Sequence, residues 1–246
     1  MAENNKSKLG VLIPGMGSVA STFICGVIAC NKGLSKPIGS MTQMGSIRLG
    51  KRTENRNPLI KDFVPTVDMN DLVFTGWDIN QENVYDIALK SKVLKNDLLE
   101  ELKPHLQKIN VLKGVFDKKY VRRLNGNWVK SGENKLDLAK QADIESFNES
   151  SGVDSNVMIW CGSTEVYMEP SEIHLSLDAF EEGLKLNHED IAPSMIYAYA
   201  ALKMGIPFAN GAPNLTVDIP ALQELANKTN TPIAGKDFKT GQTLMK

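Results

Sequence analysis

The 246-residue chain has a net charge of −1, with 42% hydrophobic and 23% charged residues, a balance typical of a globular protein that buries one large core or two smaller ones. The near-neutral charge gives no bulk attraction to nucleic acid or to an anionic membrane. The polar start Met1–Lys8 lacks the apolar segment of a signal peptide, and the run Val27–Cys30 is far too short to span a bilayer. Cys25, Cys30 and Cys161 form neither a CxxC pair nor a metal-ligand spacing. The first two fall within an apolar helical pattern, so all three read as reduced thiols of a cytoplasmic protein.

Leu9–Ile13 is a short aliphatic run that reads as a buried strand, followed by Pro14-Gly15-Met16-Gly17-Ser18-Val19-Ala20 and a helical pattern through Ala29. Residues 31–70 form a Gly-, Pro-, Asn- and charge-rich excursion, too long for an idle loop in a compact domain. Asp71–Thr75 reads as a second strand ending at Gly76-Trp77-Asp78, with helical patterns over 82–103 and a break at Pro104. Val111–Phe116 reads as a third strand and residues 135–148 as an amphipathic surface helix. Val157–Trp160 reads as a fourth strand, followed by helices over 171–184 and 192–204. Ile206–Ala209 is a fifth strand, Val217–Lys228 a helix that tolerates Pro220 only in its first turn, and Thr231–Ala234 a sixth strand. Strands alternating with helices imply parallel βαβ units and an α/β, Rossmann-like doubly wound sheet.

The expected strands end in small or polar residues: GMGS, TGWD, CGST, NGAPN and GKDFKTG. In a doubly wound sheet these are the carboxyl ends, where ligands bind, and small residues there let backbone N–H groups approach a ligand. Gly15-x-Gly17-x-x-Ala20 follows a strand and opens a helix, the context that gives such a motif its meaning. Gly15 permits the tight turn, Gly17 leaves room for a pyrophosphate at the helix N-terminus, and Ala20 permits close helix–strand packing. The acidic residue expected about 20 residues on is absent. Asp78 ends the second strand instead, where a carboxylate accepts from the adenosine ribose hydroxyls and repels a 2′-phosphate, favouring NAD over NADP; its alternative is a cap for the next helix. Gly39–Arg52, inside the excursion, could fold over a cofactor, dock another subunit or lie solvated. Lys236, Asp237 and Lys239 follow the last strand; the lysines could polarise a carbonyl or bind a phosphate and Asp237 could accept from a carboxamide or steer a lysine, against the alternative of a solvated charge cluster. His105, His174 and His188 form no zinc triad and no Ser/His/Asp order.

The segments VLIPGMGSVAST, GSMTQMGSIRLGKRTENRNPLIKDFVP, DLVFTGWDIN, MIWCGSTEVY, PSMIYAYAALKMGIPFANGAPNLTVDIPAL and IAGKDFKTGQTLMK together resemble inositol-1-phosphate synthase in its prokaryotic form and cover most of residues 9–246. FANGAPNLTVDIPAL and GKDFKTGQT carry most of the specificity. Gly15-Met16-Gly17-Ser18 departs from the more Asn-rich first loop of eukaryotic members. The resemblance implies NAD-dependent cyclisation of glucose 6-phosphate to inositol 1-phosphate by oxidation, enolisation, intramolecular aldol closure and reduction. It implies that Gly15, Gly17, Ser18, Val19, Asp78, Gly162, Ser163, Thr164, Asn210, Gly211 and Asp237 surround NAD. Asp237, Lys239, Thr240 and Gln242 would then serve the catalytic segment, which begins at residues 235–246. It further implies an NAD-binding domain over 1–246 that is incomplete, with the family's catalytic and tetramerisation domain following Lys246. The complete enzyme would be a homo-oligomer, a tetramer, with a divalent or monovalent cation as a further requirement. Another NAD-dependent Rossmann enzyme and a non-catalytic NAD-binding or oligomerisation module are the competing readings.

Overall fold

The computed structural model describes residues 7–139 and 142–238. β1 (Leu9–Pro14) is central because its side chains enter two apolar layers: Val11 and Ile13 bury on one face of the sheet and Leu12 on the other. A strand buried on both faces needs helices on both sides. β2 (Leu72–Asp78), β3 (Val111–Lys113), β4 (Ser155–Trp160), β5 (Phe208–Asn210) and β6 (Ile233–Gly235) complete a parallel sheet of order β3-β2-β1-β4-β5-β6. Val11 pairs with Phe74 on one side and Val157 on the other, so β2 and β4 flank β1. The chain runs outward from β1 to β3 and then restarts at β4, which places the topological switch between β1 and β4. Ligands bind in the crevice beyond the carboxyl ends at such a switch.

α1 (Ser18–Asn31) follows β1, and the short α2 (Met41–Met44) lies in the excursion. α3 (Val84–Ser91) and α4 (Asn96–Leu106) join α1 over one face through Ile24, Val84, Leu99, Leu102 and Leu106. α5 (Lys135–Leu138) and α6 (Ala142–Ser151) precede β4. α7 (Leu177–Lys185), α8 (Pro193–Lys203) and α9 (Pro220–Thr229) cover the other face, where Phe180, Met158 and Phe208 are 0–1% exposed. Each such side chain contributes roughly 1.5–3 kcal/mol by burial. α8 is buried from Pro193 to Leu202, and its apolar surface on all sides makes it the centre of that layer.

The helical pattern over 82–103 divides where Lys92 adopts a left-handed conformation (φ 55°) and caps α3. α4 then runs past Pro104 to Leu106. Proline removes one N–H in the last turn there, and the buried stripe Leu99, Leu102 and Leu106 outweighs that loss. The third strand is shorter than the apolar run suggests and stops at Lys113, because at Gly114 the chain turns to pair with the segment around Val129, with the Gly114 N–H donating to both the Asp78 and Trp128 carbonyls. The first turn of the segment 171–184 is a 3₁₀ turn, Glu172–His174, and α7 starts after Ser176, whose hydroxyl accepts from the Ala179 N–H at 3.3 Å. Pro220 occupies the first position of α9, where its missing N–H costs nothing. Residues 135–148 start as the short α5 and resume as α6. The excursion is tied by two antiparallel bridges, Ser46–Leu59 and Leu49–Arg56.

Candidate functional site

β1 ends in a turn that Gly15 makes at φ 88°, with its N–H donating to the Trp77 carbonyl at 2.8 Å. A side chain here would overlap the backbone of Gly162, at the end of β4. The β1 and β4 turns therefore meet closely, which requires glycine at position 15, while a Cβ on Gly162 would run into the Trp160 ring. Gly15→Ala is expected to lower stability by about 2 kcal/mol or more, since it combines a left-handed alanine with a backbone overlap. Denaturant titration of the two proteins checks this.

Gly17 is the N-cap of α1 and satisfies no helix N–H with a side chain. A Cβ on Gly17 would meet no heavy atom within 4 Å. Ser18 and Val19, both exposed, form the first turn, and that turn carries no acidic residue. A helix start with uncapped N–H groups beside open space favours an anion.

This start opens on a cavity of about 470 Å³ whose walls include Gly15, Gly17, Ser18, Val19, Asp78, Gly162, Ser163, Thr164, Gly211 and Asp237. The carboxyl ends of β1, β2 and β4 thus converge with the segments after β5 and β6. Asp78 does not cap α3; Asn83 does, accepting from the Asp86 N–H at 3.0 Å. Asp78 Oδ1 instead accepts from the Asn80 N–H at 3.0 Å and the Asn80 side-chain amide at 3.4 Å. Burial raises its pKa above the usual carboxylate range, opposed chiefly by the Asn80 and Ile79 N–H groups.

Asn210 is buried and does not line the cavity. Its amide donates to the Asn214 carbonyl at 3.1 Å and its Oδ1 accepts from the Ala212 N–H at 3.0 Å, so it shapes the loop that presents Gly211. The Phe238 N–H donates to the Gly211 carbonyl at 3.1 Å, docking the segment after β6 against that loop. Lys236 pairs with Asp218 at 2.6 Å rather than facing the cavity. Lys239, Thr240 and Gln242 lie outside the described residues. The excursion 31–70 contributes nothing to the cavity wall.

Several wall residues carried no motif signal. Trp77 and Trp160 flank Tyr197 at ring-centroid distances of 5.4 and 5.8 Å, forming an aromatic floor. The Tyr197 hydroxyl accepts from the Val115 N–H at 2.9 Å and ties α8 to the segment after β3. That segment supplies Gly114, Val115, Phe116, Val121 and Leu124. The apolar run 111–116 was visible in the sequence, but as strand rather than wall. Burial pushes the Cys161 thiol up to about 12, which keeps it an inert wall thiol. His174 is buried by structure alone: Nδ1 accepts from the Ser171 N–H at 2.9 Å, so Nε2 carries the proton to the Asp190 carbonyl at 3.0 Å. Among the described residues, no group of three or more His, Cys, Asp or Glu side chains is placed to hold a metal.

Glu165 also lines the cavity, and it is 5% exposed. Burial pushes its carboxyl up to about 7, against hydrogen bonds from Ser194 that favour the anion; the negative charge of Asp117 adds to the rise. The folded protein therefore holds a proton here that the unfolded chain has released above its ordinary value of 4.5. This contribution to stability is complete below the unfolded value and is lost as pH rises through about 7. Asp78, also raised, acts in the same direction, and His174, lowered by burial, in the opposite one. Melting temperatures of the unsubstituted and Glu165→Gln proteins between about pH 5 and 8 are expected to show a decline in their difference that belongs to Glu165. Parallel profiles would remove this assignment.

The fold and the cavity together define a dinucleotide-binding Rossmann protein. The model of the myo-inositol-1-phosphate synthase family, an NAD-binding family, matches residues 9–244, and the chain belongs to that family, with NAD as its cofactor. Inositol-3-phosphate synthase 1 of Bacteroides thetaiotaomicron is 45% identical over 243 residues, covering 97% of this chain and 56% of that protein. Inositol-3-phosphate synthase 1 of Oryza sativa subsp. japonica is 36% identical, covering 97% of this chain and 50% of that protein. The crystal structure of inositol-3-phosphate synthase from Caenorhabditis elegans superposes with a TM-score of 0.88 at 29% identity, covering 98% of this chain and 51% of that one. A myo-inositol-1-phosphate synthase-related protein from Thermotoga maritima, at 19% identity and a TM-score of 0.66, shares the fold. The chain spans about half the length of these relatives.

Proposed function

We propose that this chain carries the NAD site of an enzyme that converts glucose 6-phosphate to inositol 1-phosphate, and that residues 235–246 begin its catalytic segment. The observation that carries this reading is the open, uncapped α1 start at Gly17, facing a cavity that Asp78 also lines. These residues fit a dinucleotide. The Gly15–Gly17 turn and the N–H groups of Ser18 and Val19 would hold the pyrophosphate. The Asp78 carboxylate would orient the adenosine ribose and disfavour a 2′-phosphate. Gly162, Ser163, Thr164 and Gly211 would bring backbone close to the nicotinamide half, with Asn210 shaping the loop behind Gly211. Asp237 would accept from a carboxamide or steer a lysine, and Lys239, Thr240 and Gln242 would face substrate. A bound NAD would supply reversible hydride acceptance, which keeps the overall reaction redox-neutral. The chain's own contribution is to orient the cofactor and exclude water with the Trp77–Tyr197–Trp160 floor. Homo-oligomeric assembly belongs to the same proposal.

Two measurements test it. Calorimetry with NAD is expected to show binding by the 246-residue chain. A product assay with glucose 6-phosphate and NAD is expected to show no turnover by this chain, and turnover by a chain extended to the full length of its relatives. Asp237→Ala and Gln242→Ala are expected to impair the extended protein. Turnover by the 246-residue chain would show that the residues present suffice. An inactive extended protein, tried with several cations, would count against the reaction proposed.

A further inference from the structure

We propose that Glu165 is a positioning residue for the dinucleotide: its carboxylate holds the Gly211–Pro213 wall of the cavity in register with the start of α8. This inference rests on the NAD-site reading above and adds a residue to it.

Three segments of the cavity wall meet at this side chain. Glu165 Oε1 accepts from the Ser194 N–H at 2.9 Å, at the first turn of α8 beside Pro193. Oε2 accepts from the Ser194 hydroxyl at 2.5 Å and from the Asn214 side-chain amide at 3.1 Å. The Glu165 N–H donates in return to Asn214 Oδ1 at 2.8 Å. From Asn214 the connection continues: its carbonyl accepts from Asn210, whose Oδ1 holds the Ala212 N–H. Gly211, Ala212 and Pro213 line the cavity above this chain of bonds. The Ser194 hydroxyl also meets Thr216 Oγ1 at 2.8 Å, which fixes the far end of the same loop.

Stability by itself does not favour a carboxylate here. No cation lies within ion-pair distance of Glu165 among the described residues, and burying an unpaired carboxylate costs more than burying an apolar side chain of similar size. Three donors and the positive end of the α8 dipole offset that cost. What the carboxylate supplies that an apolar group cannot is direction. Once ionised, as pH rises through about 7, it accepts from the first turn of α8 and from the Asn214 loop at once and so fixes the distance between them. A glutamine at this position could not accept on both sides, because its amide nitrogen would face the Asn214 amide in one orientation and the Ser194 N–H in the other. Asp117 and Tyr120, on the segment after β3, are the titratable groups that face Glu165 electrostatically, and neither replaces it as acceptor.

The test reverses the polarity of the pair. NAD affinity is measured by calorimetry at about pH 8, above the value of about 7 to which burial raises Glu165, with the melting temperature of each protein, for the 246-residue chain and for Glu165→Gln, Asn214→Asp and the double substitution. Glu165→Gln and Asn214→Asp are each expected to weaken NAD binding by about tenfold, because each leaves like groups facing one another. The double substitution is expected to recover most of that loss. The introduced glutamine amide then donates to the introduced carboxylate, whose other oxygen still accepts from the backbone N–H of position 165. A purely structural role would lower melting temperatures and leave the affinity of the folded proteins unchanged, which overturns the inference. Failure of the double substitution to recover affinity overturns it too. Should Glu165→Gln not fold, Ser194→Ala removes one donor and keeps the α8 N–H. It is expected to weaken binding about threefold, and unchanged affinity would overturn the proposal. Absence of NAD binding by the unsubstituted chain overturns the NAD-site reading and this inference with it. Binding that Glu165→Gln leaves intact overturns this inference alone.

Discussion

Gly17→Val is expected to abolish detectable NAD binding while leaving the fold intact. Gly17 has an extended backbone, φ −97° and ψ −156°, without the positive φ that would exclude a side chain. A Cβ here meets no heavy atom of the surrounding structure within 4 Å, so the added side chain is expected to leave the fold in place. It fills the space in front of the α1 N-terminus, where the pyrophosphate needs direct access to backbone N–H groups. Loss of that contact is expected to weaken binding by more than about 100-fold, equivalent to about 3 kcal/mol. Calorimetry measures the binding, and circular dichroism with a thermal scan checks the fold. Normal NAD binding by this variant would place the phosphate site elsewhere.

Asp78→Ala is expected to weaken NAD binding by about ten- to 100-fold and to narrow the preference for NAD over NADP. A carboxylate accepting from both ribose hydroxyls makes charge-assisted bonds worth about 1.5–3 kcal/mol. The same charge repels a 2′-phosphate, so its removal costs NAD affinity and relieves NADP. Because Asp78 also accepts from the Asn80 N–H, Asp78→Asn is the informative companion: it keeps an acceptor for the loop and removes only the charge. NADP affinity is expected to rise in Asp78→Asn relative to the unsubstituted protein. Equal or tighter binding of NADP by the unsubstituted chain would remove the role given to Asp78.

Much of the fold was legible in the chain because the signals were local. β1, β2 and β4 are aliphatic runs bounded by glycine or polar residues, and strands buried on both faces look like this whatever lies around them. Pro220 belongs in a first helical turn by its fixed φ alone, and it occupies that position. Pro104 shows the limit. Its local rule ends a helix, and the tertiary burial of Leu99, Leu102 and Leu106 carries α4 past it. The third strand ended early for a reason no window of sequence contains, the pairing of Gly114 with Val129.

The candidate site divides along the same line. The glycine turn, the small residues after β4 and β5, and Asp78 were visible because each sits at a strand end, and strand ends of a parallel sheet share one edge. The sequence by itself determined the α/β class, the likeness to one enzyme family and the glycine turn suited to a dinucleotide. All of these depend on residue type and short spacing. Only the tertiary structure decided that Asp78 faces a cavity instead of capping α3, and that Asn210 supports the wall from behind. It alone brought Tyr197 and Glu165 into that wall. The last two outcomes depend on which segments meet across 29 to 82 residues of chain, and hydrogen bonds at that separation leave no periodicity for the sequence to show.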